Sequence, residues 1–144
     1  MYTKTIPSGV IGQVLARGVS YLSLAKATLN SPVFSMSADD SSSSSFPLFQ
    51  ANKLKYLDMS ACTLSTADLE DLTSTCHTLE KLSLEKIVNV SLKVCRNVAN
   101  QNADTLEILN LCDCSQLSSD GIQSILEKCQ SLTEINLAFT NITK

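Results

Sequence analysis

The chain has 144 residues, of which 44% are hydrophobic and 17% charged, and its formal net charge is −3. That composition supports one hydrophobic core and excludes a disordered chain, and no stretch approaches the roughly 18 consecutive apolar residues of a membrane span, so no membrane association is expected. The 11 basic residues are scattered rather than clustered, so the electrostatic footprint of a phosphate backbone is missing and no nucleic acid is expected as a partner.

The chain opens with MYTKTIPSGVIGQVLARG, which lacks an apolar core of signal-peptide length, so an intracellular protein of the nucleus or cytoplasm is expected. Residues 1–18 read as a lead-in segment with a short helical pattern over 10–17. Val19, Leu22 and Leu24 then give a degraded VxxLxL, and repeats are expected from 19 to 144, four or five of them partial or complete. The next ruler starts 35 residues after Val19, and the excess is SMSADDSSSSS at 35–45. Such a polar run buries no helix face and reads as a loop inserted into the array. The favoured reading is a tolerated insertion, since loop length costs little; the competing one is a phosphorylation cluster beside Asp39 and Asp40.

From Leu54 onward the pattern is explicit. LKYLDMSAC at 54–62, LEKLSLEKI at 79–87 and LEILNLCDC at 106–114 all read LxxLxL, and LTEINL follows at 132–137. The starts are 25, 27 and 26 residues apart, which is the period of leucine-rich repeats. The fold class is therefore an α/β leucine-rich-repeat solenoid of the cysteine-containing type, with a parallel concave sheet and convex helices. Between rulers the apolar period becomes helical: Leu69, Leu72 and Cys76 in one repeat, Ile122, Ile125, Leu126 and Cys129 in another. Ser65 with Asp68 has the form of a capping box, and Ser118 or Ser119 can cap the later helix. The middle helix is expected to run through Leu92, Cys95, Val98 and Ala99, with the polar NQNAD stretch taking up the extra length of its repeat.

Four of the six cysteines are phased with the repeat. Cys62 and Cys114 share one position, and Cys76 and Cys129 each precede a ruler leucine by three. In an intracellular chain they read as small packing groups rather than a disulfide framework. The CDC triplet lacks a second ligand pair, so no zinc, and no other metal or cofactor, is expected. Chemistry is equally sparse. His77 is the one histidine, no repeat-phased nucleophile accompanies it, and the four glycines are too dispersed for a phosphate loop. An enzyme is not expected.

What remains is the surface. The ruler hydrophobes face the core, so the residues between them face the concave side. Those residues are Tyr56, Asp58 and Ser60, then Lys81, Ser83 and Glu85, then Ile108, Asn110 and Cys112, then Glu134, Asn136 and Ala138. They form the candidate partner-binding face, with an apolar stripe from Tyr56, Ile108 and Phe139, because solenoids present extended concave surfaces to partners.

The pattern CxxLxxxxIxxILxxCxxLxxLxL is carried here by Cys114, Leu117, Ile122, Ile125, Leu126, Cys129, Leu132, Ile135 and Leu137. It resembles the cysteine-containing repeats of leucine-rich-repeat F-box proteins, as do GQVLARGVSYLSLAKATLNSPV, KLKYLDMSACTLS and HTLEKLSLEKI. The resemblance implies a non-catalytic role, in which an F-box docks the adaptor of a cullin-based SCF-type E3 ubiquitin ligase and the repeats hold a protein substrate. At its closest it implies phosphorylated cyclin-dependent-kinase inhibitors as substrates, read with a small accessory protein, and so a part in cell-cycle protein degradation. No F-box precedes Val10 and the sequence stops at Lys144. Adaptor and cullin are therefore expected partners only through an F-box in a full-length parent, and the chain reads as a fragment, a truncated isoform or a partial gene model. A general intracellular repeat scaffold and an F-box-less decoy are the alternatives. After the last ruler, Leu126, Ile135, Leu137 and Ile142 are expected to line an exposed apolar patch.

Overall fold

The computed structural model describes residues 4–31 and 53–142. Elements follow in the order β1 (Thr5–Ile6), α1 (Val10–Ala16), β2 (Tyr21–Ser23), β3 (Thr28–Leu29), β4 (Tyr56–Asp58), α2 (Thr66–Thr75), β5 (Lys81–Ser83), α3 (Leu92–Gln101), β6 (Ile108–Asn110), α4 (Ser119–Lys128) and β7 (Glu134–Asn136). The serine-rich stretch at 35–45 lies outside the described residues.

One parallel sheet has the order β2-β4-β5-β6-β7, and β1 pairs with β3 in a separate two-stranded ribbon. The register is constant. Leu22, Leu57, Leu82, Leu109 and Ile135 stand opposite one another across the sheet, as do Tyr21, Tyr56, Lys81, Ile108 and Glu134. A one-residue slip would turn every leucine outward, so the alternating ruler itself specifies this pairing. The three central coils bury their rulers: Leu54, Leu57, Met59, Leu79, Leu82, Leu84, Leu106, Leu109 and Leu111 are all at most 2% exposed. Each such side chain contributes about 1.5–3 kcal/mol.

The five strands of the larger sheet are only three residues long because the chain bends soon after them. Lys26, Ala61, Lys86, Asp113 and Phe139 all have left-handed backbones, with φ between 56 and 66°. Each falls two residues beyond the last ruler hydrophobe. The first four of these residues still donate their N–H to the next coil, as when Ala61 bonds the Glu85 carbonyl at 2.7 Å. The following N–H then turns back, Cys62 to the Met59 carbonyl at 3.0 Å and Cys114 to that of Leu111 at 3.3 Å. The bend points the next side chain inward. Cys62 donates its thiol proton to the Leu24 carbonyl at 2.7 Å, and Cys114 to that of Leu84 at 3.0 Å. A thiol at this corner therefore fills space and bonds the preceding coil, which a methyl group cannot do.

The helices pack in sequence, α2 on α3 and α3 on α4. Ser65, Ser91 and Ser118 cap them, each accepting an N–H three residues on, which offsets an unpaired donor worth about 1 kcal/mol. The capping serine of α4 is thus Ser118, not Ser119. Gly121 sits where α4 crosses α3, and a methyl group there would lie 2.8 Å from Cys95 Sγ. The close approach of the two helices requires that glycine.

Two expectations are corrected, for Leu126 and for the NQNAD stretch. Leu126 does not join the buried face of α4; it is 53% exposed while Ile122 and Ile125 are buried, because it lies about 100° further round the helix than Ile125. As expected, α3 runs through Leu92, Cys95, Val98 and Ala99; its inward residues are Val94, Cys95, Val98 and Ala99, and Leu92 is half-buried. The NQNAD stretch is not a simple polar loop. Asn102 is 1% exposed, accepts the Leu79 N–H on Oδ1 at 2.9 Å and donates Nδ2 to the Val98 carbonyl at 3.1 Å. It joins one coil to the coil before it.

Candidate functional site

The concave face is built in rows by the constant register. The first row runs Tyr21, Tyr56, Lys81, Ile108, Glu134 and the second Ser23, Asp58, Ser83, Asn110, Asn136. Ser60, Glu85, Cys112 and Ala138 lie just past the strand ends, on the approach to the left-handed turns. Of the residues the sequence places here, Tyr56, Asp58, Ser60, Ser83, Glu85, Ile108, Asn110 and Cys112 are half-buried, and Lys81, Glu134 and Asn136 are exposed.

Hydrogen bonds organise the second row. Asp58 Oδ1 accepts from the Ser60 N–H at 3.0 Å and the Ser60 hydroxyl at 2.6 Å, and the Ser60 and Ser83 hydroxyls are 2.8 Å apart. Ser23 donates to Asp58 Oδ2 at 3.4 Å. Asn110 Oδ1 accepts from the Cys112 N–H, and Asn136 Oδ1 from the Ala138 N–H, each at 3.0 Å. These local side-chain-to-backbone bonds hold the strand exits open toward the left-handed turns. Asn110 also donates to Glu85 Oε2 at 3.1 Å.

The first row is apolar at one end. The rings of Tyr21 and Tyr56 stand 6.1 Å apart at 45°, and Lys81 Nζ lies 5.2 Å from the Tyr56 ring centre. These three with Ile108 border a depression of about 230 Å³ over the strands. The sequence reading missed Tyr21, which is 64% exposed; its ruler is degraded and its coil is separated from the next by the long insertion. The stripe is therefore Tyr21, Tyr56 and Ile108 instead of the expected Tyr56, Ile108 and Phe139. Phe139, 84% exposed, is not on a strand but at the left-handed turn after β7.

The Ser83 and Ser60 hydroxyls form a short hydrogen-bonded run that ends on the Asp58 carboxylate. His77 sits at the corner ahead of β5. Among the described residues no group of three or more His, Cys, Asp or Glu is placed to hold a metal ion, and no helix is long and apolar enough to cross a membrane.

Five of the six thiols lie in the hydrophobic core. Burial pushes Cys76 and Cys95 up to about 12 and Cys62 and Cys114 to about 11, and raises Cys129 as well. All five are buried as free thiols, and Cys112 is half-exposed beside the concave face. Compared with known protein families, the chain matches the SKP2 LRR domain over residues 9–144.

Proposed function

The chain belongs to the SKP2 LRR domain family, and on that premise we propose that it is the non-catalytic, substrate-holding part of an SCF-type E3 ubiquitin-ligase receptor acting in cell-cycle protein degradation. Its repeats make it a protein-interaction domain, and the observation that carries the finer reading is the family match over 9–144. The early repeats resemble those of the S-phase kinase-associated F-box protein, which supports the same assignment. The partner, a protein substrate or an accessory protein, is seated on Tyr56, Asp58, Ser60, Lys81, Ser83, Glu85, Ile108, Asn110, Cys112, Glu134 and Asn136. Adaptor and cullin join through an F-box carried by the full-length parent, inside the cell, in the nucleus or cytoplasm.

A photo-crosslinking amino acid placed in cells at Ser83, on the concave face, or at Arg96, on an exposed position of α3, tests this reading. Position 83 is expected to capture a protein that is ubiquitylated and accumulates under proteasome inhibition, and position 96 to miss it. Concave partners that never carry ubiquitin would remove the ligase reading and leave the scaffold or the decoy.

A further inference from the structure

We draw no further inference here: the strongest candidate, the outer edge of β7, unpaired among the described residues, with the half-buried Ile135 and Leu137 and the exposed Leu126 beside it, carries nothing, because nothing in the structure shows what covers it.

Discussion

Asn102→Asp turns the buried link between two coils into a pH-dependent one. The amide is 1% exposed, with the Leu79 N–H on Oδ1 at 2.9 Å and the Val98 carbonyl on Nδ2 at 3.1 Å. A protonated aspartic acid has nearly the same shape and keeps both bonds, its carbonyl oxygen facing Leu79 and its hydroxyl facing Val98. Ionised, it sets a buried charge against the Val98 oxygen with no proton between them. The folded state therefore holds this carboxyl above the ordinary value of about 3.9. A raised folded value leaves stability intact below about pH 4 and removes it as the pH climbs, because the unfolded chain releases its proton first. A rise of about two units corresponds to a deficit of about 2.7 kcal/mol at pH 7. Asn102→Ala leaves the Leu79 N–H unpaired instead, a loss of about 1–3 kcal/mol that does not vary with pH. Urea unfolding followed by circular dichroism from pH 4 to 8, each variant measured against the parent chain, reads both effects. If the Asp variant matches the parent at pH 7, or shows the same deficit at pH 4 and pH 7, the assignment of Asn102 as a neutral bridge between coils is wrong.

The other predictions concern thiols, helix contact and the turns. At pH 8 a thiol reagent is expected to modify Cys112 within minutes and the other five cysteines only on unfolding; rapid modification of Cys76 or Cys95 in the native chain contradicts their packing role. Because burial raises the five thiols, stability is expected to be complete below about pH 8.5 and to fall as the pH rises toward the folded values, by up to about 1.4 kcal/mol per pH unit for each thiol. Cys76→Ala is expected to flatten that alkaline limb, and an unchanged slope counts against the linkage. Gly121→Ala is expected to destabilise by about 1–3 kcal/mol through overlap with Cys95 Sγ, despite a helix-propensity gain of about 1 kcal/mol. Cys95→Ala in the same chain should recover part of that loss, and strict additivity of the two changes would exclude the contact. Lys86→Gly, at φ 62°, relieves about 1–2 kcal/mol of left-handed strain against about 0.5–1 kcal/mol of added chain entropy. Its unfolding midpoint is expected to hold or rise slightly, and a clear drop would mean that the lysine stem holds structure at the corner.

Much of this molecule is written locally. The rulers at Leu54, Leu79 and Leu106 alternate with period two and repeat at one spacing, so they specify strand, buried face and register together. Ser65 and Ser118 cap helices through bonds that span three residues, and the phased cysteines take inward corners repeated from coil to coil. What sequence reasoning missed depends on neighbours far along the chain. Asn102 looks like a loop residue until the Leu79 N–H, 23 positions away, meets its amide. Tyr21 matters because the register sets it beside Tyr56 across an insertion whose length hides the equivalence. Leu126 fits a helical pattern, yet whether its side of α4 is covered is decided by how that helix lies on α3. Periodicity tells which side chains share a face, and only the packed coils decide what that face meets, because burial and pairing are properties of the neighbour as much as of the residue.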